Sequence, residues 1–320
     1  MLDWRDNFIH YRKDGDFYIY CDTNASYCSV HQYLEDGLNK PAVVSNGNVC
    51  DKADAGSCLA ISYEARSHGI RRGASLRKAQ NLYQNLIIYE SCLPLYELYA
   101  DLYDLVLEWI IPKAMVYRGS CDEVVIHYQY SKYPYRKFWT AIKTTTAYIK
   151  EQINEDISID ITPEQEEHIL SCSSKHQAIY AICYLIRDVI KKVIGLPLSI
   201  AVAPSISLSK SLIEVAKPKF IDGKKTYKTF HDAIFFPHSA EEANAYFKHF
   251  QLTELCGIST IARRLARCGI ARVKNVQQYC SLEQTIELSK NIHLGKVVWY
   301  MAHGRDDVLS GYLSAIRDRK

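Results

Sequence analysis

The chain has 320 residues and no apolar run that approaches membrane-spanning length. Its opening residues, Met1-Leu2-Asp3-Trp4-Arg5-Asp6, contain no apolar core of a secretion signal. A membrane-spanning or secreted protein is therefore not expected. No two cysteines take the Cys-x-x-Cys spacing, and the 11 cysteines are scattered and odd in number. This argues against zinc and against a disulfide framework, and for reduced thiols in a cytosolic or nuclear compartment. Net charge is nearly lacking too: a formal +3 does not announce a nucleic-acid partner, so any basic surface must be local. What is present is ordinary for a soluble globular protein, 48% hydrophobic and 23% charged, with length for two or three domains. Tyrosine is the exception at 24 residues, and its plain reading is amphipathic packing.

Phe17 to Cys21 reads as a buried strand with Asp22 at its carboxyl end. Leu38 to Val44 reads as a turn and a second short strand, and Asn46 to Gly56 as a loop. A short helix is expected from Ile61 to Gly69, stopped by the glycine. Leu95, Leu98, Leu102, Leu105, Val106 and Trp109 recur at helical spacing, which predicts an amphipathic helix over 94–110, ending before Pro112. Val116 to Tyr128 reads as a hairpin. Residues 129–174 are polar and weakly periodic and receive no assignment. Ile179, Ile182, Cys183, Ile186, Ile190 and Val193 predict a second long helix closed by Gly195, and Leu198 to Val202 a strand. Strands and helices alternate without a regular parallel rhythm, which indicates α+β.

The chemistry concentrates in carboxylates. Ser120-Cys121-Asp122-Glu123 runs into the apolar Val124-Val125-Ile126, and Asp22 ends a strand far upstream. Three acidic groups at strand ends can hold two divalent cations against a triphosphate, and hard Mg²⁺ suits carboxylate oxygens. An Asp-Glu pair alone is common and usually a solvated turn. Further on, Leu255-Cys256-Gly257-Ile258-Ser259 precedes a basic helix over 260–268, closed by Gly269. A glycine turn opening a helix can bind a phosphate without reading a base. Arg263, Arg264 and Arg267 add charge there. The plain alternative is a helical hairpin with a solvated basic face.

In order, these pieces resemble the Y-family (translesion) DNA polymerases, from about residue 17 to 310. Asp22-Thr23-Asn24-Ala25-Ser26-Tyr27-Cys28-Ser29-Val30 resembles the first metal motif, and Lys40-Pro41-Ala42-Val43-Val44 the strand after it. Ser62-Tyr63-Glu64-Ala65-Arg66 with Gly69-Ile70 and Gly73 resembles the run in the fingers. Ser120-Cys121-Asp122-Glu123 resembles the second metal motif, and Ala216-Lys217-Pro218 the end of the palm. Leu255 to Ile270 resembles the thumb's helix-hairpin-helix, and Leu294-Gly295-Lys296 through Trp299 to Gly304-Arg305-Asp306 its final motif.

The resemblance implies a right-hand α+β architecture: an antiparallel palm sheet (1–31 and 92–228), small fingers (32–91), a helical thumb with a helix-hairpin-helix (229–310) and a tail (311–320). The family's fourth domain, the little finger, is expected to be absent from this chain. By the same resemblance Asp22, Asp122 and Glu123 are the catalytic carboxylates, ligating two Mg²⁺ ions (Mn²⁺ as a substitute) with the Thr23 carbonyl. Tyr27 would be the steric gate against a 2′-hydroxyl. Tyr63, Arg66 and Lys217 would hold the β- and γ-phosphates of a dNTP. Gly257, Ser259, Arg263 and Arg264 would meet the backbone of primer–template DNA, and a processivity clamp or repair protein could add grip. His31, Cys28 and Cys121, near the site in sequence, read as packing residues.

There are departures. Asn24, Ser26, His31 and His127 stand where the family often has aspartate, an aromatic, glutamate and aspartate. Ser207-Leu208-Ser209-Lys210 replaces a lysine-richer run, with Ile206 at the place of one lysine. Residues 129–174 exceed the usual palm connection and read as an insertion. Ser120-Cys121-Asp122-Glu123, Ser45-Asn46-Gly47 and Asp306-Asp307 are similar to the deoxycytidyl-transferase branch. Asn24 and Tyr96-Glu97-Leu98-Tyr99-Ala100-Asp101 lean to the polymerase V branch, so the branch stays open. The expected compartment is nuclear in a eukaryote and cytoplasmic in a bacterium. Against the polymerase stands a non-catalytic, polymerase-shaped DNA-binding scaffold in a repair assembly. A nucleotidyl cyclase on a related palm explains the carboxylates but not the hairpin.

Overall fold

A computed structural model describes residues 16–46, 56–133, 135–221, 224–255 and 258–305. The strands of the main sheet are β1 (Phe17–Thr23), β5 (Val116–Arg118), β6 (Glu123–Tyr128), β7 (Leu198–Ala203) and β10 (Ile234–Phe235), in the order β10-β7-β1-β6-β5. β1 is the middle strand and pairs antiparallel with β6 on one side and β7 on the other. The expected hairpin carrying the acidic pair is present as β5 and β6. The sheet is not purely antiparallel, however: the two-residue edge strand β10 runs parallel to β7.

Alternation along β1 sends its side chains into two cores. Ile19 and Cys21 join the cluster under α4 (Leu93–Ile110), α5 (Phe138–Ile153) and α7 (Ser174–Ile194). Tyr20 faces the other way, onto α8 (Ile206–Ala216). That second cluster continues without a break through Phe247, Leu252, Leu265 and Val276 to Met301. It thereby unites α8 with the terminal helices α9 (Ala240–Phe247), α10 (Ser259–Arg267), α11 (Val273–Tyr279), α12 (Leu282–Ser289) and α13 (Ile292–Ala302). A smaller sheet, β3-β2-β4, is built from β2 (Ala42–Ser45), β3 (Cys58–Ile61) and β4 (Ile87–Glu90), with β2 and β4 parallel. It packs with α2 (Tyr63–Ser67) and α3 (Leu76–Leu82) on a separate core of Val43, Ile61, Ala65, Ile70 and Leu76. α1 (Ser26–Leu34) follows β1, α6 (Pro163–Ser171) precedes α7, and a hairpin of β8 (Lys219–Ile221) and β9 (Lys224–Thr226) follows α8.

Three expectations need correction. Ile61 belongs to β3, and the short helix begins only at Tyr63, where the buried Ser62 hydroxyl caps it by accepting from the Ala65 amide at 3.1 Å. α4 is as long as expected, and of the expected stripe Val106 is buried and Leu95, Leu102 and Trp109 pack partly buried on the core, but the deepest face is turned from the expected one. Tyr96, Tyr99, Tyr103, Leu107 and Ile110 point inward, while Leu98 is 54% exposed and Leu105 50%. Large tyrosine rings win the interior because they remove more apolar area from water than leucines do. The unassigned 129–174 stretch contains α5 and α6. Phe138, Ala141, Ile142, Thr145 and Ile149 form the buried stripe of α5, and the alanine and threonine in it dilute the apolar pattern.

Gly195 closes α7 as expected. Its φ of 72° is left-handed, and a Cβ there would meet the Tyr33 ring at 2.0 Å. No helix among the described residues is long and apolar enough to cross a membrane.

Candidate active site

The antiparallel register of β1 and β6 sets Asp22 opposite Glu123. One step further the Thr23 amide donates to the Asp122 carbonyl at 2.9 Å, which fixes the acidic turn against the end of β1. Two carboxylates about 100 residues apart in sequence thus share one sheet edge. They floor a cleft of about 570 Å³ whose opposite wall comes from the smaller sheet and α2. All expected metal- and nucleotide-site residues line it: Asp22, Thr23, Tyr27, Tyr63, Arg66, Asp122, Glu123 and Lys217. Arg72, which the sequence reading did not single out, lines it too.

Three carboxylates, Asp22, Asp122 and Glu123, are crowded at the floor of the cleft, and cations stand on two of them. Lys217 Nζ lies 3.3 Å from Asp22 and 2.7 Å from Glu214, and Lys210 Nζ reaches both Glu123 oxygens at 2.8 and 3.1 Å. Burial pushes the Asp22 carboxyl up to about 6; Lys217 opposes this, while Asp122 and Glu123 add to it. Burial alone would lower the Lys217 ammonium, but Asp22 and Glu214 outweigh it and hold it above the usual range. Burial thus dominates at Asp22, and the facing carboxylates dominate at Lys217. Beside it the Thr23 hydroxyl and the Asn24 amide nitrogen are buried without a partner among the described residues. Crowded carboxylate oxygens at one strand end, with a buried unpartnered hydroxyl beside them, fit a divalent cation of the Mg²⁺ class.

Asn24 is held from both sides: Ser199 Oγ donates to its Oδ1 at 2.8 Å and the Tyr63 hydroxyl at 3.3 Å. It therefore ties the cleft wall to β7. Arg66 lies over the Tyr63 ring, 4.6 Å from its centroid, at the start of α2. Tyr27 is clamped. Its ring stacks on Tyr96 of α4 at 3.9 Å, nearly parallel, and its hydroxyl meets Cys121 Sγ at 3.6 Å. Cys121 is thus more than packing, since it anchors the Tyr27 ring from the acidic turn. His31 and Cys28 are buried packing residues as expected, with His31 Nε2 on the Tyr96 hydroxyl at 3.0 Å.

Sequence reasoning missed Lys210, Tyr96 and Arg72. For Lys210 a signal existed: it stands seven residues, about two helical turns, before Lys217, so the side of α8 that presents Lys210 leads to Lys217 at the helix's C-cap. Of the expected DNA contacts, Gly257 lies outside the described residues. Ser259, Arg263 and Arg264 are exposed on α10 and do not line the cleft, and Arg264 donates to the Ser289 carbonyl at 2.6 Å.

The sequence profile of the impB/mucB/samB family matches residues 21–214, more than half of the chain. The chain belongs to that family. "DNA polymerase IV 2" of Mesorhizobium japonicum is 28% identical over 201 residues, covering 62% of this chain and 36% of that protein. "DNA polymerase IV" of Pseudomonas paraeruginosa is 23% identical over 292 residues, 90% of this chain and 65% of that protein. The chain thus spans less than two thirds of either relative. The fold is similar to that of Dbh DNA polymerase in its insertion ternary complex (TM-score 0.59, 17% identity, 90% of this chain and 67% of that one). It is also similar to DinB from Sulfolobus solfataricus (TM-score 0.56, 17% identity, again 90% and 67%). These findings agree with the Y-family resemblance carried by the motifs.

Proposed function

We propose that the chain is a DNA-directed DNA polymerase of the translesion class, adding a dNTP to a primer 3′-end. The observation that carries this reading is the convergence of Asp22, Asp122 and Glu123 on one side of a single cleft with Tyr63, Arg66 and Lys217 around it. In this reading Asp22, Asp122, Glu123 and the Thr23 carbonyl hold two Mg²⁺ ions. Such ions would stabilise the attacking and leaving oxygens of an in-line displacement.

The chain's own residues do the rest. Arg66, the Tyr63 hydroxyl and Lys217 neutralise and orient the β- and γ-phosphates, which turns positioning into rate. Lys217 sits on Asp22 and Lys210 on Glu123, so both cations are stationed where triphosphate charge arrives. Tyr27, fixed by Tyr96 and Cys121, presents a rigid ring to the sugar and leaves no room for a 2′-hydroxyl. The main sheet with α4, α7 and α8 serves as palm and 32–91 as fingers; the thumb, expected from 229, would begin only after β10 (Ile234–Phe235), which is a strand of the palm sheet, and run to about 310. Fingers with so small a core of their own close weakly over a base pair, which admits damaged templates and lowers fidelity. Contacts of α10 with DNA would be to the backbone.

Single-nucleotide primer extension with Mg²⁺, offering each dNTP against each template base, tests the reading. Template-directed incorporation, abolished by Asp122→Ala with Glu123→Ala, is the expected result. Incorporation of dCTP against every base would place the chain in the deoxycytidyl-transferase branch. DNA binding without any incorporation would overturn the polymerase reading in favour of a scaffold.

A further inference from the structure

Away from the cleft, α6 and the segment entering α9 bring together side chains that are remote in sequence. One ligand atom each from His168, Cys172 and His238 lie within 4.8 Å of one another. A cavity of about 430 Å³ opens beside them, lined by His168, His231, His238 and Glu242. We propose that His168, Cys172 and His238 form a transition-metal site of the zinc class, stapling α6 to the β10 edge of the main sheet. The missing Cys-x-x-Cys spacing does not weigh against it, because the fold assembles the ligands from two segments.

A hydrogen-bond relay sets the tautomer of His168. The Gln165 amide is fixed, since its nitrogen donates to the Phe230 carbonyl at 2.8 Å and its oxygen accepts from the Thr162 amide at 3.1 Å. The Tyr184 hydroxyl must then donate to that oxygen, at 3.2 Å. Its own oxygen accepts from His231 Nδ1 at 2.9 Å. His231 is 5% exposed, and a neutral ring there offers only a lone pair at Nε2. His168 Nδ1 therefore donates its proton to His231 Nε2, at 2.9 Å. The lone pair of His168 is left on Nε2. Such an outer partner on the far nitrogen is what orients and strengthens a metal-binding imidazole.

His238 is oriented likewise. Its Nε2 lies 3.1 Å from the Tyr180 hydroxyl; with the ring proton on Nε2 donated to that oxygen, the lone pair of Nδ1 is left for the metal. Cys172 stands one helical turn after His168, with its Sγ on the His168 carbonyl at 3.3 Å, so both groups emerge on one side of the end of α6. Two imidazole nitrogens and a thiolate select a borderline-soft ion such as Zn²⁺ over Mg²⁺. On binding, a sulfur–metal bond forms and the thiol proton passes to solvent. Water takes the fourth position, or His176, whose ring centroid lies 4.5 Å from that of His238.

The test is a Co²⁺ titration of the EDTA-stripped full chain, with Zn²⁺ counted by mass spectrometry after reloading and dialysis. The wild type is expected to retain about one Zn²⁺, to rise in Tm with it, and to show a thiolate-to-Co²⁺ charge-transfer band. Cys172→Ser should lose the band and Cys92→Ser keep it. Tyr184→Phe, which breaks the relay without removing a ligand, should weaken binding by about 10–100-fold. The paired Asp122→Ala and Glu123→Ala chain should keep the band. No thiolate band in the wild type, a band that survives Cys172→Ser, or a band lost with the cleft carboxylates would each overturn the proposal. The wild-type band read against Cys92→Ser does not depend on the Cys172 variant folding.

Discussion

Tyr27 is locked where a free tyrosine would swing. A ring stacked on Tyr96 and tethered through its hydroxyl to Cys121 has lost its rotamer freedom before any substrate arrives. Exclusion of a hydroxyl-sized group by a rigid wall gives discrimination of roughly 10–200-fold. Tyr27→Ala is accordingly expected to raise ribonucleotide incorporation by that order while deoxynucleotide incorporation falls less; extension rates with rNTP and dNTP side by side measure it. Tyr96→Ala, which frees the ring without removing it, should give a smaller relaxation of the same sign. The acidic residues, Arg66 and Lys217 could be picked out in the sequence because they sit in short runs of recognisable order. Lys210 could have been found from its seven-residue spacing to Lys217, but Tyr96 and Arg72 could not, because their importance comes from what they face.

At the scale of elements, α5 and α6 pack on α7, α5 also meets α4, α6 is tied through Gln165 to the Phe230 carbonyl, and an ion pair within α7 holds the segment that joins them. Arg187 makes two contacts with Asp188, at 2.7 and 3.0 Å, and the Asp160 amide donates to the same carboxylate at 2.9 Å. Their side chains are only 10% and 8% exposed. Removing one partner leaves a buried charge uncompensated, which costs about 3–5 kcal/mol. Asp188→Ala should therefore lower the urea midpoint markedly, while Lys192→Ala, whose pair with Glu155 is half exposed, should change it little. The long helices α4 and α7 were legible from their periodicity. The buried face of α4 was legible only in part, at Val106 and its partly buried neighbours, since the leucines and the tyrosines both repeat at helical spacing and only the packing chooses between them.

For the molecule as a whole, several buried rings supply a pH dependence of one sign: burial pushes His231 down to about 3 and His238 to about 4, and His303 adds to them from outside the proposed metal site. Burial pushes His303 down to about 4; its Nδ1 donates to the Trp299 carbonyl, which opposes the shift, and Arg305 adds to it. Between about pH 4 and about pH 6.5 the unfolded chain binds this proton and the folded chain does not, so stability rises with pH and levels off above the unfolded value. Asp22, held up to about 6, acts in the opposite direction. Tm measured in EDTA across this window should rise less steeply with pH in His303→Gln than in the wild type; equal slopes would remove His303 as a cause. With a net charge of only +3, the proposed DNA binding would come from local basic surface and should fall steeply with salt, which a titration at rising salt concentration checks.

The sequence by itself determined the α+β class, the strands that carry the acidic residues, the long helices and the family. These follow from periodicity, from turn residues such as Gly195 and from short ordered motifs, all of them local in the chain. Only the tertiary structure decided the rest: the pairing of Asp22 with Glu123, the parallel edge of the sheet, the lysines set on the carboxylates and the gathering of His168, Cys172 and His238. Each depends on register or on the approach of segments far apart in sequence. A strand's own residues fix which side chains share a face, but its partner fixes which of them meet.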